Sequence, residues 1–291
     1  MHQAVELGKN FRIIDKRWMS DTVFSMWIEA PDIAHAFRPG QFVIVRIDEL
    51  GERIPLTIAA VDEGRSQIRL VVQVVGYTTR LMSQLKASDF LLDVVGPLGR
   101  PVEIKHYPDP VLGVAGGVGA APMLPQLTAY REAGNRIICI LGARTAKQLL
   151  LVDELQKVSH QLHLTTDDGS FVRKGLVTDV LLEILDQGVK PSLIIAIGPA
   201  IMMKYTCELA VRRGFPVMAS LNPIMVDGTG MCGGCRVSVG DQTYFACVDG
   251  PDFDGSKINW DELMSRLDTY KRQERYVEEH SCKGGFGRVV S

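Results

Sequence analysis

The chain has little that would take it to a membrane or to nucleic acid. Over 291 residues, 32 Lys and Arg stand against 34 Asp and Glu, a net charge of −2, so there is no basic excess to bind a phosphate backbone or an anionic bilayer. No apolar run has the length to cross a bilayer, the best candidate, Leu193 to Ile201, being interrupted by Gly198 and Pro199. The opening MHQAVELGKN lacks the basic region and apolar core of a secretory signal. Cysteine is scarce, and three of the six are clustered. That argues against a disulfide frame and for a metal site in a reducing, cytoplasmic setting. What the chain does have is a 46% apolar content and the length for two domains plus a small appendage.

The cluster lies between Ile224 and Pro251, where Cys232, Cys235 and Cys247 are threaded through Gly228, Gly230, Gly233 and Gly234. Two-iron clusters of the plant type use C-x4-C-x2-C and a distant Cys, because short glycine-rich loops let thiolates and backbone amides converge on one inorganic core. Five residues before Cys232 stands Asp227, so the register reads D-x4-C-x2-C-x11-C. Two other readings stand beside iron. Three thiols with His280 or Cys282 could hold a structural zinc, and Asp227 could simply cap a turn. Cys139, in the apolar run RIICILGA, and Cys207, in a helix-like stretch, read as core thiols.

From Phe11 to about Val102 the chain is β-rich, with runs at FRII, TVFSMWI, QFVIVRI, IPLTIAAV, IRLVVQVV and FLLDVVG. Turn residues punctuate them, and one short helical stretch falls near Thr79 to Leu85, so a small antiparallel barrel is expected. After His106, strands and helices alternate as far as FPVMASL, the pattern of a parallel sheet covered on both faces. Further on, Trp260, Leu263, Met264, Leu267 and Tyr270 recur at helical spacing.

Several stretches carry binding chemistry. In Arg53-Ile54-Pro55-Leu56-Thr57, strand alternation puts Arg53, Pro55 and Thr57 on one face, with its ends about 13 Å apart. A guanidinium there suits a pyrophosphate, and a hydroxyl can reach a ring nitrogen. Gly76-Tyr77-Thr78-Thr79 opens a helix, a place where anions bind. Gly116-Gly117-Val118-Gly119 follows an apolar strand and precedes a helix, with Pro122 in the first turn, as in dinucleotide-binding turns. The next strand ends in Gly142-Ala143-Arg144 with no acidic residue, which leaves NAD and NADP both open. Thr166-Asp167-Asp168-Gly169 and Gly198-Pro199 fall at two further strand ends, the edge where such sheets bind ligands.

Taken together and in this order, R-x-P-x-T, G-x-T-T, G-G-x-G-x-A-P, T-D-D-G-S, G-P-x-x-M-M and the cysteine segment resemble the ferredoxin-NADP reductase superfamily over nearly the whole chain. Within it, the chain is similar to the electron-transfer subunits of dihydroorotate dehydrogenase. It is closer still to the small subunits of the NADH-dependent reduced ferredoxin:NADP oxidoreductase and sulfide dehydrogenase group, whose version of the cluster segment carries aspartate where the dihydroorotate family has cysteine. The resemblance implies an FAD-binding β-barrel domain over residues 1–105, an NAD(P)-binding α/β domain over 106–221 and a two-iron two-sulfur (2Fe-2S) module over 222–291. It implies that Arg53, Pro55, Leu56 and Thr57 hold FAD, with Gly76, Thr78 and Thr79 at its phosphates. Gly117 and Gly119 would hold NAD(H), with Asp168, Gly198 and Pro199 at its nicotinamide half and NADP(H) left open. Asp227, Cys232, Cys235 and Cys247 would ligate the cluster. No side chain is cast as a catalytic acid, base or nucleophile, because the chemistry belongs to the cofactors. The implied activity is electron transfer towards a larger flavin and iron-sulfur partner subunit, with ferredoxin reached through that partner and electron bifurcation a property of the complex. A dihydroorotate dehydrogenase electron-transfer subunit is the alternative enzyme, and a zinc-stapled redox or nucleotide sensor the alternative outside enzymes.

Overall fold

A computed structural model describes residues 11–273. His280, Cys282 and the polar tail read as a docking arm lie outside the described residues. The first part of the chain forms β1 (Phe11–Ser20), β2 (Val23–Glu29), α1 (Pro31–Ala36), β3 (Phe42–Arg46), β4 (Ile54–Val61), β5 (Gln67–Gln73), α2 (Tyr77–Gln84), β6 (Phe90–Leu91) and β7 (Asp93–Leu98). These strands make one antiparallel sheet in the order β6-β1-β2-β5-β4-β3-β7. The run FLLDVVG, expected as one strand, is split between the sheet's two edges. β6 pairs with β1 and β7 with β3, with only Leu92 between them. One short segment thus serves both edges and closes the sheet into a barrel, which removes the exposed edges an open sheet would leave. Phe24, Met26, Ile28, Val43, Val45, Ile68 and Leu70 alternate inward to fill it.

The second part forms β8 (Val111–Gly116), α3 (Ala120–Glu132), β9 (Ile137–Ala143), α4 (Val152–Val158), β10 (Gln161–Thr166), α5 (Val177–Asp186), β11 (Leu193–Ile197), α6 (Ala200–Arg212) and β12 (Val217–Ser220). The remainder forms β13 (Arg236–Val239), β14 (Gln242–Phe245), α7 (Ala246–Asp249), β15 (Asp252–Asp254) and α8 (Trp260–Leu267). β10-β9-β8-β11-β12 run parallel, and β15 returns to pair antiparallel with β12.

Burial on both faces of this sheet follows from period-two alternation. Leu112, Val114, Ile138, Ile140, Ile194 and Ala196 enter one core with α5 and α6, while Val111, Ala115, Ile137, Cys139, Leu141 and Ile195 enter the other with α3. Cys139 and Cys207 are core thiols, each pushed up to about 12 by burial. The first of these cores also takes in Cys235, Val237, Cys247, Phe253, Trp260 and Leu263. The cysteine segment therefore shares a hydrophobic core with the sheet, anchored by α8, whose helical spacing buries Trp260 and Leu263.

Candidate cofactor cavity and cluster loop

In a doubly wound sheet, ligands sit at the carboxyl edge where the strand order reverses, and here that point lies between β8 and β11. The ends of these strands face β4 and β5 of the barrel across a cavity of about 940 Å³. That volume is at the upper end of small-molecule sites, about 300–1,000 Å³. The barrel wall carries Pro55, Leu56, Thr57 and Thr79, and the sheet wall Gly117, Gly119, Gly198 and Pro199. Two motifs far apart in sequence thus meet across one space.

Gly117 and Gly119 are glycines for different reasons. At Gly119 a Cβ would lie 2.3 Å from the Ile197 carbonyl oxygen, so the turn after β8 packs main chain against main chain at the end of β11. At Gly117 φ is +55° and a Cβ would meet nothing within 4 Å, so this residue borders the open space that a dinucleotide's phosphates would need.

Four residues singled out in the sequence are not among the lining residues. Arg53 is exposed just ahead of β4. Gly76 caps α2, its N–H donating to Thr79 Oγ1 at 3.1 Å. Thr78 is buried, and its hydroxyl donates to the Glu52 carboxylate. Asp168 stands beyond the end of β10, where hydrogen bonds from Ser170 hold its carboxyl below the usual range. Its neighbour Asp167 lines the cavity instead, with its N–H donating to the Ala143 carbonyl at 3.0 Å. Sequence reasoning missed Ser220, at the end of β12, and Asn222 and Met225 beyond it, which form that part of the wall. Only the Asn222-Pro223 turn signal after an apolar strand marks that place.

Two residues after Met225 the cluster loop begins. Gly228, Gly230 and Gly233 take φ of +78°, +83° and +66°, folding the loop tightly enough for side chains to meet main-chain amides. Asp227 Oδ1 accepts from Thr229 N at 2.9 Å and Oδ2 from Cys232 N at 2.8 Å, and these bonds, that from Thr229 foremost, hold its carboxyl below the usual range. Gly234 N donates to Cys232 Sγ at 3.4 Å, and Cys247 N to Cys235 Sγ at 3.4 Å. Among the described residues no three His, Cys, Asp or Glu side chains converge as one ion would need. The donors come instead as two pairs, Asp227 with Cys232 and Cys235 with Cys247. Two pairs, with amides directed at the sulfurs, fit a core of two irons that each take two protein ligands. The same Asp227 bonds also cap the turn, so capping and ligation draw on one carboxylate.

The chain's similarities to known proteins agree with this layout. Residues 222–259 match the family described as the iron-sulfur cluster binding domain of dihydroorotate dehydrogenase B, and residues 114–208 the oxidoreductase NAD-binding domain. A Thermotoga maritima protein described as a dihydroorotate dehydrogenase B (NAD(+)) electron transfer subunit homolog is 50% identical over 272 residues, 93% of this chain and 95% of that one. A Methanocaldococcus jannaschii protein described as a probable subunit of that kind is 39% identical over 81% of this chain and 85% of its own. A solved structure of an NADH-dependent reduced ferredoxin-NADP oxidoreductase superposes with a TM-score of 0.88 at 47% identity, over 97% of this chain and 100% of that chain.

Proposed function

The chain belongs to the family of dihydroorotate dehydrogenase B electron-transfer subunits and their homologues, and from that premise we propose that it carries electrons between NAD(H) and a larger flavin and iron-sulfur partner subunit through its own FAD and two-iron cluster. The observation that carries this reading is the shared cavity. A flavin-type strand and a dinucleotide turn face each other across it, and Met225, in its wall, stands two residues from Asp227, about 7 Å of extended chain at most. A hydride donor, its acceptor and a one-electron centre can then lie in sequence without leaving the subunit.

In this reading the barrel to residue 105 holds FAD, residues 106–221 the nucleotide and the segment from 222 the cluster. Thr57 and the β4 main chain border the flavin ring, with Arg53, Gly76, Thr78 and Thr79 serving its phosphates. Thr78 must release Glu52 to donate to an anion. Gly117 leaves room for the nucleotide phosphates, Gly119 fixes the turn against β11, and Asp168, Gly198 and Pro199 serve the nicotinamide half. Asp227 and Cys232 hold one iron, and Cys235 and Cys247 the other. When bound, FAD supplies the conversion between a two-electron hydride and single electrons. The apolar walls exclude water, and the loop amides favour negative charge on the cluster.

Asp227 favours the NADH-dependent reduced ferredoxin:NADP oxidoreductase type, with ferredoxin served through the partner. The names of the curated relatives favour the other reading, service to an orotate-forming subunit. The chain that copurifies with it separates the two. The central test is content: purified protein should carry one FAD and about two irons per chain, and NADH should reduce the flavin. A colourless preparation with one zinc and no iron would refute it.

A further inference from the structure

Beside the cavity wall lies a polar cluster made of the buried Gln126 and the partly buried Ser220 and Asp252. β15 pairs with β12 so that Asp252 stands opposite Ser220, and Ser220 lines the cavity. On one side stands Ser220, its strand partner, whose side chain favours the ionised form of the Asp252 carboxyl. On the other the carboxylate accepts from Gln126 Nε2 of α3, at 3.3 Å to Oδ1 and 3.2 Å to Oδ2. Gln126 is fully buried, and its Oε1 has no partner. The barrel closes the pocket, since a Cβ on Gly40 would lie 2.9 Å from Asp252 Oδ2. Three parts of the fold thus meet on one carboxylate.

No charge on these elements balances it. Tyr130, on α3 with Gln126, stays a neutral hydroxyl, its pKa raised by burial. Of the charged groups on the neighbouring segments, Arg100 pairs with Asp249, Lys257 with Asp254 and Lys105 with Glu103. Burial pushes the Asp252 carboxyl up to about 6. The orphaned amide oxygen points the same way. With a proton on Asp252, the acid O–H can donate to Gln126 Oε1 while its other oxygen accepts from Nε2, closing a cyclic acid–amide pair. A buried acceptor left unpaired is destabilising, so the site is better satisfied with the proton than without it.

We propose that Asp252, acting through Ser220, is the group that takes up and releases the proton left in the cavity when a hydride's two electrons depart singly. This rests on the functional reading above. Each NADH oxidised gives NAD+, two electrons that pass one at a time to the cluster and on to the partner, and one proton. That proton binds an Asp252 oxygen and is returned to solvent as the carboxylate re-forms.

The test uses the flavin- and iron-loaded protein and follows cluster reduction after mixing with NADH across pH. In the unaltered protein the rate should break near the carboxyl's pKa of about 6. Asp252→Asn, which keeps the shape and an amide partner for Gln126, should abolish the break. Ser220→Ala removes a donor that lowers the Asp252 pKa, so its break should move to higher pH. The redox-difference infrared spectrum should contain the carbonyl band of a protonated carboxylic acid, and Asp252→Asn should lack it. A break retained in Asp252→Asn, a break unmoved in Ser220→Ala, or an unaltered protein without the acid band would each overturn the proposal. If Asp252→Asn fails to fold, Ser220→Ala and the spectrum of the unaltered protein decide it. Failure to load FAD, or to be reduced by NADH, would instead bring down the functional reading.

Discussion

The two glycines of the turn after β8 give a comparison whose outcome can be worked out in advance. At Gly119 an added Cβ would stand 2.3 Å from Ile197 O, 2.8 Å from Ile197 C and 3.0 Å from Gly198 Cα. All three are main-chain atoms of the β11 end, so no side chain can swing aside and turn and strand must separate by about 1 Å to restore ordinary contact. Forcing a close-packed contact apart costs about 1–3 kcal/mol, and with backbone on both sides Gly119→Ala belongs at the upper end. Gly117→Ala meets no atom, and its cost is the left-handed backbone at φ +55°, roughly 1 kcal/mol. For a chain of 291 residues, at about 2.1 cal/mol/K of unfolding entropy per residue, each kcal/mol shifts the midpoint by roughly 1.6 °C. Thermal unfolding should therefore separate Gly119→Ala from the unaltered protein by about 5 °C and Gly117→Ala by about 2 °C. In NADH titrations Gly117→Val should lose affinity with its flavin content intact, because its side chain enters the open space. Equal midpoints for the two alanine variants, or unaltered affinity of Gly117→Val for both NADH and NADPH, would refute the division of labour drawn between them.

Much of the fold was legible because its signals are local. Alternation along RIICILGA and SLIIAIG follows from burial on both faces of a parallel sheet, and Trp260 and Leu263 recur at the period of α8. The splitting of FLLDVVG was not legible, since the hydrophobic pattern of a strand does not say that its two halves pair with different neighbours. α1 escaped because six residues are too few for periodicity, leaving Pro31 at its first turn as the one cue. β15 is three residues long and has only Phe253 to bury. Its place on the parallel sheet comes from tertiary pairing, so nothing in the sequence brought Asp252 to Ser220 or Gln126. The same distinction runs through the cavity. Thr57, Gly117 and Gly198 belong to motifs whose local geometry carries them to the wall, whereas Ser220 and Met225 arrive there only because β12 lies beside β11. Asp227 was found by counting along a loop, and its pairing with Cys232 is local as well.

Two perturbations of carboxylates complete the expectations. If Asp227 ligates iron, Asp227→Cys should keep the cluster with a shifted spectrum, while Asp227→Asn, which retains an oxygen to cap the turn, should lose iron; full iron content with an unchanged spectrum in Asp227→Asn would leave the aspartate as a cap only. Asp252 should also be visible in stability. Its carboxyl titrates at about 6 in the folded protein and near 3.9 when unfolded, so between those values the folded state holds the proton that the unfolded state has lost. The stabilisation from this group is fully present below about pH 4 and is lost as pH rises through 6, a difference on the order of 3 kcal/mol for a shift of about two units. Asp62, Asp168, Asp227 and Asp254 have lowered values and act in the opposite sense, so the overall pH profile hides the effect. Subtraction isolates it, because Asp252→Asn changes one group and leaves the others in place. Urea unfolding of both proteins should show the variant gaining on the unaltered chain by about 2 kcal/mol between pH 4 and pH 7. A difference that stays constant over that range would mean that the carboxylate is solvated in the native protein, and the proton it is assigned would have no place to reside.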